Sequence, residues 1–212
     1  MRKVFCLFAI VLCFLPSCSL FLKKAVYRSS QPKVTDIAST RKRWAEVGTD
    51  IETFFHKVPL KEGLSDSAYI VNVNKALSFD GELFKGAMVF DASGRRVDIF
   101  KGKICLGKTD TFLKEIKKGQ DYDTLPGETI DKYLCRIDNQ HRQAVKVEQN
   151  YDFLVIIPWA DWLGVSKQDA RNWIRFAKSN KDINFLIMPV NLDITNEWYK
   201  AEKIAKFVKF KF

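Results

Sequence analysis

The sequence predicts an α/β domain carried behind an N-terminal export signal. Three observations predict it. Two apolar segments rich in β-branched residues, 153–157 and 183–192, flank an amphipathic helical pattern, which makes a βαβ unit with parallel strands. The turn signal Asp91-Ala92-Ser93-Gly94 joins two further strand patterns, 86–90 and 95–100, into a hairpin. At the start of the chain, Arg2 and Lys3 precede about a dozen apolar residues, the length of a signal-peptide core and short of the ~20 a membrane span needs.

Taken in order, residues 1–17 form the signal and residues 18–40 a tether, marked by Ser29-Ser30-Gln31-Pro32-Lys33 and by a lack of periodicity. Residues 41–212 form one domain. Its first helix is expected over 41–57, with Trp44, Val47, Ile51, Phe54 and Phe55 on one face and Gly48 weakening it by roughly 1 kcal/mol. Residues 69–79 read as a strand, followed by the hairpin. Thr109 or Asp110 caps a short helix with Phe112, Leu113 and Ile116 inward, ended by Gly119. A polar stretch through Pro126-Gly127 leads to a helix over 128–138 that buries Ile130, Tyr133, Leu134 and Ile137. Residues 144–148 are extended. The run at 153–157 lacks alternation, as a strand covered on both faces does. Ser166 caps the next helix, with Asp169 in its first turn and Ala170, Trp173, Ile174 and Ala177 inward. Residues 183–192 return as a strand, and 198–212 close the chain as a helix.

Leu15-Pro16-Ser17-Cys18 resembles the bacterial lipobox, with leucine three residues before the cysteine and a small residue just before it; Pro16 departs from the commoner small residues. The resemblance implies cleavage before Cys18, lipid on its sulfur (a diacylglycerol, with palmitate-type acylation) and residence in the bacterial cell envelope, on the outer or plasma membrane. An uncleaved anchor over 4–22, interrupted by Pro16, Ser17 and Ser19, is the alternative. Cleavage lowers the formal charge of +10 by two and discards Cys6 and Cys13. Cys105 and Cys135 then remain as thiols, open to three readings: a disulfide, two buried free thiols, or a redox pair. The basic excess is dispersed among acids and lies outside the cytoplasm, which argues against a nucleic-acid partner and for a solvated surface, with weak attraction of Lys23, Lys24 and Arg28 to anionic lipid as the second choice.

Residues 154–167, Leu-Val-Ile-Ile-Pro-Trp-Ala-Asp-Trp-Leu-Gly-Val-Ser-Lys, resemble the buried strand and active-site turn of thioredoxins, Trp-Ala-x-Trp-Cys-Gly-Pro-Cys-Lys. Trp159, Ala160, Trp162, Gly164 and Lys167 match in register. Asn191-Leu192-Asp193 is similar to the Val-Asn-x-Asp at the end of the family's next strand. The likeness spans about 151–200, under a quarter of the chain. It implies a thioredoxin-like sheet flanked by helices. In that family a hairpin and helix follow the βαβ half through a cis-proline loop, whereas here the hairpin lies upstream, so the sheet is expected in permuted order, with residues 87–90 beside 153–157. An ordinary α/β sandwich sharing one βαβ unit with thioredoxins is the alternative. Leu163 stands where the attacking cysteine would be and Ser166 where the resolving one would be. Disulfide exchange needs a thiolate, so this site, comprising Trp159, Asp161, Trp162, Leu163, Gly164 and Ser166, is redox-dead.

Neither His56 nor His141 lies at ligand spacing from a cysteine or carboxylate, so no metal is expected. No cofactor or nucleophile motif is present. Asp161 and Asp193 follow the two parallel strands, where ligand sites of open sheets gather, or else simply cap their loops. Trp159 and Trp162 either line a recognition groove or belong to the core. Two functions remain: a tethered binding or accessory protein with a protein or peptide partner, and an envelope thiol-disulfide oxidoreductase using Cys105 and Cys135.

Overall fold

The computed structural model describes residues 32–57, 61–77, 86–98, 113 and 116–207. Cys18, Cys105, the signal, the first part of the tether and most of the helix expected near 110–118 lie outside the described residues. Seven strands, β1 (Phe54–His56), β2 (Met88–Asp91), β3 (Arg95–Val97), β4 (Thr124–Thr129), β5 (Ile137–Asp138), β6 (Phe153–Trp159) and β7 (Phe185–Asn191), form one mixed sheet in the order β4-β3-β2-β6-β7-β1-β5. The helices among the described residues are α1 (Ile37–Ala45), α2 (Asp66–Leu77), α3 (Asp131–Leu134), α4 (Gly164–Ser179) and α5 (Ala201–Phe207). The chain is therefore an α/β protein with helices flanking a mixed sheet.

Every residue of β6 is buried, which explains why its sequence is apolar without alternation. Successive side chains serve opposite faces. Leu154 and Ile156 pack with Met88, Phe90 and Met188 under α2, α3 and α5, through Tyr69, Tyr133 and Ile204. Phe153, Val155, Ile157 and Trp159 pack with Val89 and Ile187 under α1 and α4, through Trp44, Ala170 and Trp173. Each such large side chain, fully buried, stabilises the fold by about 1.5–3 kcal/mol relative to exposure. These two layers fix the central strand from both sides.

The two strands of the βαβ unit are parallel, from Phe153 opposite Phe185 to Trp159 opposite Asn191. On the other side of β6 lies β2, antiparallel, with Met88 opposite Ile156 and Phe90 opposite Leu154. The hairpin strand is thus beside the central strand, as the permuted order requires. Asp91 forms the hairpin turn by accepting hydrogen bonds at Oδ1 from the amides of Ser93 and Arg95. Gly94, at φ +77°, is needed there: a Cβ would sit 2.9 Å from Ile130 Cγ2.

Several elements differ from the sequence reading. The helix expected over 41–57 starts earlier, at Ile37, where Asp36 caps it by accepting from the Ser39 amide at 2.7 Å, and ends at Ala45. Gly48, at φ +77°, turns the chain, and Phe54-Phe55-His56 becomes β1, parallel to β7. The last residues of the expected tether belong to the body: Thr35 bridges to Thr195, its amide donating to the Ile194 carbonyl at 2.9 Å. Of residues 69–79, read as a strand, 69–77 belong to α2, and 78–79 lie outside the described residues. The start of α2 is set by Ser65, whose Oγ accepts from the Ala68 amide, and Tyr69 and Val73 fall one turn apart on the buried side. The segment read as polar coil and helix over 128–138 is edge strand β4, short helix α3 and strand β5. Pro126 and Gly127 are tolerated because β4 has a partner on one side only and its register with β3 shifts. Ile130, Tyr133 and Ile137 are buried as expected, by a different backbone. Helix α4 begins at Gly164, before Ser166, and α5 is described only to Phe207.

Candidate functional site

The turn between β6 and α4 contains the thioredoxin-like residues, and most of them are inside the protein. Trp159 ends β6 with no exposed surface; its Nε1 donates to Thr53 Oγ1 at 2.9 Å and its ring packs 4.9 Å from that of Trp44. Trp162 is buried too, so the two indoles are core rather than the walls of an open aromatic groove. Leu163 is fully buried. Ser166, also buried, accepts at Oγ from the Ala160 amide at 3.1 Å and donates to the Leu163 carbonyl at 2.6 Å. The hydroxyl thereby pins the turn's own backbone. Leu163, three residues before Ser166, is an enclosed hydrocarbon. The cap role expected of Ser166 is not seen: Leu163 is the N-cap and makes no side-chain cap bond, while Gly164 opens the helix.

Immediately above this turn, at the C-terminal ends of parallel β6 and β7, the structure opens a recess of about 180 Å³ lined by Lys33, Val34, Thr35, Arg43, Asp161, Trp162 and Asp193. Asp161 and Asp193 do meet there. The Asp161 amide donates to Asp193 Oδ1 at 2.9 Å, and Asn191 Nδ2 donates to Asp193 Oδ2 at 2.9 Å. Burial pushes the Asp193 carboxyl above the usual aspartate value, and the nearby Asp161 charge acts the same way; the Asn191 and Asp161 donors and the Arg43 charge only partly offset this. Asp161 is more open and is matched by cations: Lys167 Nζ at 2.5 Å and Arg43 Nη1 at 3.5 Å.

Arg43, which no local sequence signal singled out, reaches the recess from α1. Its Nη2 donates to Thr35 Oγ1, and its buried Nε finds no acceptor. The strap at 33–35 forms the remaining wall, held by the Thr35 amide and by its carbonyl, which accepts from the Asn196 amide at 2.8 Å. Lys33 is exposed and forms no ion pair with another described residue. Two cations, Lys33 and Arg43, and two carboxylates, Asp161 and Asp193, therefore line the recess.

The other predicted sites lie apart or out of view. Cys135 follows α3, exposed, with its Sγ 3.4 Å from the Lys132 carbonyl; Cys105 and Cys18 lie outside the described residues. His56 is buried at the end of β1 and His141 is exposed in the 139–143 turn. Among the described residues no group of three His, Cys, Asp or Glu side chains is placed to hold a metal ion. Nor is any described helix long and apolar enough to cross a membrane. No known family, no curated protein and no solved structure matches this chain.

Proposed function

We propose that this protein is a membrane-tethered lipoprotein of the bacterial cell envelope, whose thioredoxin-like domain has lost redox chemistry and serves as a binding or accessory protein. The lipobox-like residues ending at Cys18 support the tether. The thioredoxin-like reading is supported by the order β3-β2-β6-β7, with β2 antiparallel and β7 parallel to the central strand and α4 following it. It is also supported by the turn residues Trp159, Ala160, Trp162, Gly164 and Lys167. The observation that carries the loss of chemistry is the interior of that turn: a fully buried Leu163 and a Ser166 hydroxyl engaged with its own backbone.

Reduction of insulin disulfides by the full chain in detergent micelles tests this. The expected result is turnover no faster than the thiol reductant alone, unchanged in Cys105→Ser and Cys135→Ser. Activity that Cys105→Ser abolishes would establish an oxidoreductase and remove the binding-only reading.

A further inference from the structure

We infer that the outer face of α1 and α4 docks on the anionic headgroups of the membrane that holds the tether, with Arg41, Lys42, Arg171 and Arg175 against the lipid phosphates. The inference rests on the tether reading and adds which side of the domain faces the bilayer. The two sides of the sheet differ in charge once their own ion pairs are formed. Helix α1 contains Arg41, Lys42 and Arg43 and no acid, and the one acid within α4, Asp169, is buried. Exposed acids beside the two helices are already paired, Asp161 with Arg43 and Lys167, and Asp50 with Lys178. Asp36 caps α1, where it answers the positive end of that helix. Glu46 is then left against Arg41, Lys42, Arg171 and Arg175, none of which pairs with a described carboxylate; Lys181 and Asp182, just past α4, offset one another. Arg171 Nη2 donates across to the Glu46 carbonyl at 3.3 Å, and Lys178 Nζ to Asp50 at 2.6 Å, so the two helices make one continuous face.

On the opposite side of the sheet the cations are differently placed. Lys61, Lys200 and Lys203 converge on Asp66, and Glu202 is exposed on α5 beside Lys203. Helices α2 and α5 carry lysines only, whereas three of the four unpaired cations on α1 and α4 are arginines. A guanidinium meets phosphate oxygens through two parallel hydrogen bonds and sheds its water more readily than an ammonium. Position favours the same side. The described chain begins at Pro32 and enters α1 at Ile37, so the tether leads into this helix first. Docking is then intramolecular, with headgroups at about millimolar effective concentration. Each basic residue near an anionic surface contributes about fivefold. An attraction too weak to hold a free protein therefore orients a tethered one.

The test places the ¹⁵N-labelled full chain on nanodiscs of phosphatidylcholine alone and of phosphatidylcholine with about one third phosphatidylglycerol. Both contain a trace of gadolinium-chelating lipid, which broadens the NMR signals of nearby amides. Residues 41–45 and 171–178 should broaden at least about fivefold more on the anionic discs in ~0.1 M salt. The difference should vanish in ~1 M salt, as the screening length falls from ~10 Å to ~3 Å. Arg171→Glu combined with Arg175→Glu should cut it by about tenfold or more. Arg41→Glu combined with Lys42→Glu, on the other helix, should do the same, and carries the test where the first variant unfolds. Lys206→Glu, on the opposite side of the sheet, should leave it unchanged. The inference is overturned by a difference that survives ~1 M salt, by broadening centred on α2 and α5, or by charge-reversed variants that behave as the parent does. A chain held by both discs with equal broadening removes the orientation and leaves the tether standing; a chain held by neither disc removes both.

Discussion

At the scale of single residues, the proposed loss of redox chemistry has two separate grounds. Leu163 and Ser166 lack sulfur, and the position of Leu163 is closed to solvent. Replacing both in Leu163→Cys/Ser166→Cys restores the sulfurs without restoring access. Brief alkylation followed by mass spectrometry should modify exposed Cys135 well before either new thiol; equal rates at all three would show that enclosure contributes nothing. Ser166→Ala alone leaves the buried Ala160 amide without its hydroxyl acceptor, while the Leu163 carbonyl keeps the Ser166 amide, and should cost about 1–3 kcal/mol in denaturant unfolding. Asp193 makes a pH-dependent contribution whose sign follows from its raised pKa. Above the ordinary value of 3.8 the unfolded chain has released this proton while the folded chain still holds it. Stability from this group is therefore fully present below 3.8 and is lost as pH rises through the folded value. The difference in unfolding free energy between the parent and Asp193→Asn should fall with rising pH over that window, and a flat difference would contradict the burial argument.

At the scale of elements, the joint between β3, β4 and α3 is held by charged groups. Arg96 on β3 is almost buried, its Nη1 donating to Tyr133 Oη at 3.0 Å and lying 3.7 Å from Glu128 Oε2. Lys132 and the Tyr133 hydroxyl also donate to Glu128. Burial acts to raise the Glu128 pKa, but these two donors and the charges of Lys132 and Arg96 outweigh it and hold the carboxyl below its usual value. The joint is thus strongest above the ordinary glutamate pKa and weakens as pH falls through the lowered folded value. Glu128→Gln removes the carboxylate charge beside Arg96 and Lys132 and should lower stability by about 1–3 kcal/mol at neutral pH, less than a fully buried pair loses because Glu128 remains partly exposed. The same measurement checks the hairpin: Gly94→Ala introduces both a left-handed alanine and a clash with Ile130, and a loss of about 1–3 kcal/mol is expected.

At the scale of the molecule, the sequence revealed what is locally encoded. The βαβ unit was legible because continuous apolar strands and an amphipathic helix each carry their own signal, and the hairpin because Asp91-Ala92-Ser93-Gly94 specifies its turn. Strand β1 was hidden because three residues, Phe54-Phe55-His56, continue the apolar spacing of the helix before them; only their pairing with β7 makes them a strand. Edge strand β4 was hidden by Pro126 and Gly127. Of the candidate recess, Asp161 and Asp193 could be read from their place after parallel strands, but Arg43 and Lys33 could not, since α1 and the strap reach the site only through tertiary packing. That strap also ties the site to the proposed anchor: the 14 residue-to-residue steps from Cys18 to Pro32 span at most roughly 50 Å, so a lipid on Cys18 holds the recess within that distance of the bilayer. Two acyl chains would secure such an anchor, where one gives only marginal binding. Feeding cells an alkyne palmitate should label the chain, and Cys18→Ser should abolish the label and leave the larger, unprocessed species. An uncleaved anchor over 4–22 predicts the opposite pattern, with no label and one unchanged size in both proteins, so a single gel separates a lipid tether from a peptide one.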